Sequence, residues 1–437
     1  MSPVEIARAV TRGGRHGRDA EEKRPACLFA AGATVGPVKL ELQKDLARHL
    51  RAGHPWVYKR AIERPPPGLE AGAIVDVTSG GKFVARGYYD PAGAVRVRVL
   101  TRDPAEAIGP LFWRRRVARA VSLRRAYVLS QDTDCARLVH GEGDGLPGVV
   151  VDLYGRFAVL KLYSPGLAPH RSAIVEALRG EVALDGIYGR DEETARRDEE
   201  DELSDRDTTP AKGQVLWGVG PGGTQIVREH GMRIAVDVYG GQKTGYFLDQ
   251  RENRFALRKF ARGRARAANC FAYSGGFSVS AVLGGAREVI SVDRDEAAMK
   301  LARRNFQINE IDPASHGFVT GDVLEFLRAQ EKPFDLIVLD PPAFAKSQKA
   351  VPAALDGYAS LHRAAFEVLA PGGILATASC SARVSAEEFA GAIREAAVKT
   401  RTDLQLLEER RQPVDHPVLP AFPEGRYLKF FVYRKAD

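Results

Sequence analysis

From residue 38 onward, short stretches of period-two hydrophobicity alternate with amphipathic stretches of helical spacing, and the character of that alternation changes along the chain. Residues 38–63 (VKLELQKDLARHLRAGHPWVYKRAIE) open on an alternating strand, pass into a short amphipathic helix and close on GHPWVY. Residues 72–100 (GAIVDVTSGGKFVARGYYDPAGAVRVRVL) read as strands broken by Gly-Gly and Asp-Pro turns. Residues 106–128 have helical spacing with a basic outer face, and 137–164 carry a Gly/Asp-rich turn followed by a hairpin. A helix near 169–179 and a short strand at 186–188 follow. The stretch RIAVDVYGGQKTGYFLDQ (233–250) predicts a further hairpin.

From about residue 264 the pattern becomes parallel α/β. RARAANCFAYSGGFSVSAVLGGA is a strand running into a Gly-rich turn and a helix of small residues. REVISVDRDEAAMKLARRNFQIN repeats strand and helix, with Asp293 at the strand end, and HGFVTGDVLEFLRAQ puts Asp322 after the next strand. FDLIVLDPPAF ends at Asp340 and its following loop, and GGILATASCS ends at Cys380. The candidate residues therefore gather at the carboxyl ends of strands, where open α/β sheets bind ligands. AYSGGFS does not match GxGxxG, but the order of the motifs is informative. Asp293 suits two ribose hydroxyls, Asp322 suits an adenine amine, and Gly275-Gly276 lets a ligand approach the backbone closely. Each acid taken singly also suits a helix N-cap.

Composition narrows the class. A chain of 437 residues with 44% hydrophobic and 27% charged positions predicts a globular protein of two or three domains. Residues 1–36, rich in Arg, Gly and Ala, predict a poorly ordered extension, and the nearly all-charged 190–212 a flexible insertion. The boundaries that follow are 37–105 for a β-rich domain, 106–232 for a small α+β domain and 233–437 for the α/β domain. A formal charge of +8 admits a polyanionic partner. Lys59, Arg60, Lys82, Arg86, Arg96 and Arg98 lie beside Trp56, Tyr58, Tyr88 and Tyr89, a mixture that suits unpaired RNA bases as well as ordinary half-buried strands. Four scattered cysteines form no CxxC or Cys/His cluster, so neither a disulfide framework nor a metal site is expected, and a reducing cytoplasm fits. No apolar run approaches the roughly 20 residues of a membrane span, and a signal peptide is not expected in the short CLFAAGATVG stretch.

The ordered series Gly275, Asp293, Asp322 and Asp340 resembles that of the class I S-adenosylmethionine-dependent methyltransferases. With GHPWVY, VHGEGDGLPG, QKTGYFLDQRENR and DHPVLPAFPEGRYLK, the chain from about residue 38 to 437 resembles the large-subunit (23S) ribosomal RNA 5-methylcytosine methyltransferases that carry an N-terminal PUA domain. The extension and the charged insertion depart from that pattern. The resemblance implies a Rossmann-like α/β methyltransferase domain preceded by a β-rich PUA domain and a small α+β domain. It implies S-adenosylmethionine held by Phe271, Ser274, Gly275, Asp293, Arg294, Asp322, Val323, Asp340 and Gln250. It implies ribosomal RNA, or an assembly intermediate of the large subunit, met by Pro341, Pro342, Phe344, Trp56 and Lys59. A homodimer stays open.

Such a reaction gives Cys380 a task. Carbon 5 of cytosine is a weak nucleophile until a thiolate adds at carbon 6. Cys380, one strand on from Asp340, has the right address. Cys270 is the rival thiol, better suited to packing, while Cys27 and Cys135 lie outside the α/β part. Asp340 would bond the cytosine edge, and Phe344 would pack on the base. Pro342 and Ala343 stand where some such enzymes carry a second cysteine, so another base must release the product. Two alternatives remain: methylation of a guanine nitrogen, which leaves Cys380 structural, and a non-catalytic RNA-binding assembly factor.

Overall fold

Among the described residues three sheets and a hairpin follow one another, and each buries the hydrophobic positions that its sequence sets at strand spacing. The computed structural model describes residues 36–190, 213–345 and 347–436. The predicted extension (Gly36 apart) and the predicted insertion from 191 to 212 lie outside the described residues. Arg190, the expected first residue of that insertion, is buried and donates to the Gly241 carbonyl (2.7 Å).

The first sheet holds β1 (Val38–Glu41), β2 (Trp56–Tyr58), β3 (Ile74–Ser79), β4 (Lys82–Tyr89) and β5 (Val95–Thr101) in the order β1-β3-β4-β5-β2, with helix α1 (Ala47–Ala52) between its first two strands. Gly80 and Gly81 turn β3 into β4 at φ of 58° and 73°, a region that favours glycine. Helix α2 (Pro110–Tyr127) buries Phe112, Trp113, Val117, Ala120, Val121 and Arg124 on one face and turns Arg114, Arg115, Arg119 and Arg125 outward. The second sheet holds β6 (Cys135–His140), β7 (Val149–Tyr154), β8 (Phe157–Leu162), β9 (Gly186–Gly189) and β10 (Gln214–Gly218), in the order β10-β9-β8-β7-β6. Its parallel step from β8 to β9 crosses through α3 (Arg171–Glu181).

The hairpin expected at 233–250 is displaced. Strand β12 (Met232–Val236) pairs upstream with β11 (Gln225–Glu229), and residues 237–247 form a loop instead of a returning strand. The reason is local. The Asp237 carboxylate accepts from the amides of Tyr239 and Gly240, closing a turn, and Gly245 at φ 126° turns the chain again.

The third sheet is open and doubly wound. Helix α4 (Arg251–Ala261) leads into β13 (Arg266–Cys270), α5 (Gly276–Leu283), β14 (Glu288–Asp293), α6 (Glu296–Ile308), β15 (Gly317–Thr320), α7 (Val323–Arg328) and β16 (Phe334–Leu339). The chain continues through α8 (Val351–Val368), β17 (Leu369–Ser379), α9 (Ala386–Thr400), β18 (Leu404–Arg410) and β19 (Lys429–Lys435). The strand order is β15-β14-β13-β16-β17-β19-β18, with β19 antiparallel to both neighbours. The winding reverses between β13 and β16, which opens a crevice at their carboxyl ends. Leu336, Ile337, Val338 and Leu339 are all buried, as a central parallel strand covered on both faces requires. Ser385 and Glu388 form a capping box that starts α9 directly beyond β17.

A buried carboxylate ties these parts together. Arg251, the first residue of α4, donates from two nitrogens to Asp415 (2.7 and 2.8 Å), and both side chains are almost fully buried. Asp415 also accepts from the amide of Arg137 on β6 (3.0 Å), and its carbonyl accepts from Arg124 on α2 (2.6 Å). Asp415→Ala would leave two nitrogens of the buried Arg251 guanidinium without their acceptor, with Glu252 still paired to it, so we expect a loss of about 3–5 kcal/mol in unfolding free energy by denaturant titration; a loss below about 1 kcal/mol would show that this pair does not hold the parts together.

Candidate active site

The turn after β13 is wound tightly enough to present backbone at the crevice. Phe271, Tyr273 and Gly275 have φ of 60°, 46° and 75°, so three of five consecutive residues lie in the left-handed region. Two contacts hold it there. The Tyr273 amide donates to Asp293 (2.8 Å), and Asn305 donates to the Ser274 carbonyl (2.7 Å). Asp293 takes a second amide from Asp295 (3.0 Å), and Asp295, not Asp293, caps α6. A Cβ on Gly276 would lie 2.5 Å from the Tyr246 hydroxyl, so that position admits no side chain.

Asp322 caps α7 through the amides of Leu324 and Glu325 and pairs with the exposed Arg294. The Glu325 amide bond leads the effects that hold its carboxyl below the usual range, and burial opposes them. Val323 packs into the core. Phe271, Ser274, Gly275, Asp293, Arg294, Asp322 and Val323 thus line up along the ends of β13, β14 and β15. Among the described residues the buried Ser274 hydroxyl has no hydrogen-bond partner. That orphaned group, the close-approach glycines and the two acids fit a nucleoside with an amino-acid tail.

The opposite side of the crevice is organised around Cys380. In an extended segment residues i and i+2 face one way and i+1 the other. Ser379 and Ser381 are buried, and one hydroxyl, that of Tyr358 on α8, meets both of their oxygens (2.9 and 3.0 Å). Cys380 between them is half-buried and lines a cavity. Antiparallel β19 sets Lys429 opposite Ser379, and its ammonium donates to the carbonyls of Ser381 (2.7 Å) and Tyr427 (2.9 Å). Burial lowers the Lys429 pKa to about 8, while Cys380 works in the other direction. The rival thiol fits packing: Cys270 is fully buried in the core, and burial pushes its pKa well up. Cys135 is likewise buried, and Cys27 lies outside the described residues.

The cavity beside Cys380 measures about 230 Å³ and takes its walls from all three sheets' neighbourhoods. Trp56 and Arg98 come from the first sheet, and Arg137, His140, Glu142 and Tyr163 from the second. Lys243, Phe247, Asp249, Ala343 and Ala345 come from loops of the α/β part, and Pro417, Phe422 and Tyr427 from the segment before β19. Trp56 donates to Glu142 (2.8 Å), which also pairs with Arg98 (3.2 Å), and Trp56 meets Phe422 edge to face at 4.6 Å. Lys59 sits exposed one turn away, outside the cavity wall.

Phe344 requires a correction. Its ring packs on Tyr358 (4.7 Å between centroids) and against the hydrophobic core, while Ala343 and Ala345 face the cavity. The alternation of an extended loop gives the small residues the cavity side. Pro341 is buried and Pro342 exposed.

Asp340 is held by Gln250, whose amide donates to it (3.0 Å) and is itself fixed by Asn253 (2.6 Å). Burial, reinforced by the nearby Asp249, raises the Asp340 pKa to about 7. Asp249 behaves oppositely. Burial would raise it, but Lys243, His416 and the Tyr427 hydroxyl (2.7 Å) outweigh burial and leave its pKa below the ordinary value. Asp249, Tyr427, Lys429 and Tyr358 escaped the sequence reading. Three of them lie in QKTGYFLDQRENR or DHPVLPAFPEGRYLK, so those segments signalled the site without separating its residues.

Comparison with known proteins agrees with this geometry. Residues 205–430 match the family model of the S-adenosylmethionine-dependent methyltransferases, and residues 40–102 match a PUA-like domain. The protein named ribosomal RNA large subunit methyltransferase I of Citrobacter koseri is 39% identical over 401 residues, covering 91% of this chain and 99% of its own. Its namesake in Cronobacter sakazakii is 40% identical over 398 residues, covering 90% and 98%. A Streptococcus mutans protein described as a SAM-dependent methyltransferase shares the fold at a TM-score of 0.77 and 24% identity, over 91% of this chain and all of the other. A further methyltransferase structure, complexed with SAH, aligns over the same share of each chain at 0.78 and 24%. The α/β part is therefore a Rossmann-like methyltransferase domain that uses S-adenosylmethionine, preceded by a PUA-like domain, and the chain belongs to the ribosomal RNA large subunit methyltransferase I family.

Proposed function

We propose that this enzyme methylates carbon 5 of a cytosine in large-subunit (23S) ribosomal RNA through a covalent bond from Cys380. The observation that carries the reading is a thiol facing the cavity, its two flanking serines both bonded to the Tyr358 hydroxyl, one strand from a carboxylate whose pKa burial raises to about 7. Cytosine enters the cavity unstacked. The Cys380 thiolate adds to carbon 6, and Asp340 gives its proton to ring nitrogen 3, so carbon 5 becomes enamine-like. A cation beside a thiol favours its ionised form, and Lys429 supplies one. S-adenosylmethionine supplies the electrophilic methyl group. Phe271, Ser274, Gly275, Asp293, Arg294 and Asp322 would hold it, with Val323 packed beneath and Gln250 orienting Asp340.

Trp56 and Glu142 would flank the entering nucleotide, and Lys59 would meet phosphate outside the cavity. Among the described residues no helix is long and apolar enough to cross a membrane; the cytoplasmic assignment rests on the ribosomal RNA substrate.

Three measurements test this. Cys380→Ala is expected to keep cofactor affinity while methyl transfer falls by orders of magnitude, and RNA bearing 5-fluorocytosine should trap the wild type, not the variant, as a denaturation-resistant complex. Near-normal turnover by Cys380→Ala would favour guanine methylation instead. Asp340 is protonated below its raised pKa of about 7, so its acid form is present at neutral pH and lost as pH rises. Single-turnover rates should therefore fall above about pH 7, and Asp340→Asn should be slower by about 10²–10⁴-fold and lack that falling limb; an unchanged profile would remove the proton-donor role. In calorimetry, Asp293→Ala should weaken S-adenosylmethionine binding by at least about tenfold, given about 1.5–3 kcal/mol per charge-assisted hydrogen bond. Unchanged affinity would remove Asp293 from the cofactor site.

A further inference from the structure

Asp249 lines the cavity wall together with Glu142, which Trp56 and Arg98 engage, and Glu424, and neither thiol addition nor proton delivery to the ring uses it. It precedes Gln250, whose amide holds Asp340, so a two-residue turn carries one carboxylate and fixes the other. Asp249 is 7% exposed and shares the cavity with Cys380. The Tyr427 hydroxyl donates to one of its oxygens (2.7 Å), and among the described residues the other oxygen, Oδ1, accepts no hydrogen bond. The carboxylate is thus aimed on one side and open on the other.

Its surroundings separate it from Asp340. Lys243, His416 and Arg137 favour the ionised form of Asp249, against burial, while burial raises Asp340 to about 7. Neighbouring carboxyl groups driven apart in this way divide the roles of acid and base. Once carbon 5 has gained a methyl group, its hydrogen must leave before the sulfur can. Asp340 is committed to the proton on nitrogen 3. Lys429 is buried, and its ammonium is engaged by two carbonyls. The loop after Asp340 offers Pro342 and Ala343, which hold no base.

We propose that Asp249 is the general base that removes the carbon 5 proton and so frees the methylated cytosine from Cys380, an inference that rests on Cys380 being the nucleophile. The C5–H bond breaks and its proton passes to the Asp249 carboxylate. The electron pair of that bond becomes the C5–C6 double bond. The C6–S bond breaks, and its pair returns to sulfur as thiolate. The nitrogen 3 proton goes back to Asp340, leaving neutral 5-methylcytosine, and Asp249 loses its proton to water.

The test uses the full chain, methyl-labelled S-adenosylmethionine and 23S ribosomal RNA from cells lacking the protein. Asp249→Asn should transfer methyl once and stall, so that a methyl-labelled protein–RNA complex accumulates on a denaturing gel with unmodified RNA. Turnover should fall by about 10²–10⁴-fold. The complex should be absent with wild type and with the Asp249→Asn, Cys380→Ala double variant. Asp249→Glu, which keeps a carboxylate, should release product faster than Asp249→Asn. Tyr427→Phe, which removes only the hydroxyl that aims Asp249, should stall more mildly and serves if Asp249→Asn does not fold. Product release at the wild-type rate, or a folded Asp249→Asn that makes no methylated complex, overturns the assignment. Trapping of the wild type by 5-fluorocytosine RNA decides the nucleophile separately: with trapping intact and release unaffected in the variants, the Asp249 role alone falls.

Discussion

The buried carboxylate of Asp415 is the constraint on which the cavity depends. Through Arg251, Arg137 and Arg124 it joins α4, β6, α2 and the segment before β19. The network extends outward. Arg124 pairs from two nitrogens with Asp144, which accepts the His140 amide, and Arg137 pairs with Asp152, which accepts from Thr244. Segments held by this network put residues on the cavity wall: His140 at the end of β6, Lys243 beside Thr244, Asp249 just before α4, and Tyr427 downstream of Asp415. Buried ion pairs contribute little net stability, because desolvation offsets their attraction, but their partners cannot be exchanged cheaply. Here that selectivity fixes loops from distant parts of the chain in one arrangement.

The strand ends use the same sheet for two purposes. Parallel β13, β14 and β15 deliver the glycine turn and the acids Asp293 and Asp322 to one side of the switch point. On the other side β16 and β17 deliver Asp340 and Cys380. Antiparallel β19 then returns along β17 and lays Lys429 against the Ser379–Ser381 segment. The residues on either side of the sulfur are therefore fixed by a helix hydroxyl that meets both serines and by a strand ammonium on the Ser381 carbonyl. Two carboxylates at adjoining points of the crevice meet different surroundings and acquire different protonation states.

The PUA-like sheet is also part of this site. Trp56 and Arg98 share Glu142 with the turn after β6, and Trp56 packs edge to face on Phe422. An aromatic residue whose nitrogen is already bonded to a carboxylate presents only its apolar faces, which suits a stacked base more than a phosphate. On the proposed reading RNA binding and catalysis share this wall, with Lys59 outside it.

The sequence by itself determined the order of elements and the strand-end address of Gly275, Asp293, Asp322, Asp340 and Cys380, because hydrophobic periodicity and turn residues are local properties. It also determined that Cys380 stands between two serines, though not that Tyr358, far along α8, binds both. It misread 233–250 as a hairpin because Val236 ends a strand whose partner lies upstream, and local alternation does not reveal direction of pairing. It gave Phe344 to the substrate, since an aromatic after Asp-Pro-Pro is equally at home in a cavity or a core. Only the tertiary structure decided that the ring turns inward. The same holds for Asp249 and Lys429. Their chemistry comes from burial and from charges contributed by residues far away in the chain, and such fields exist only once the chain has folded.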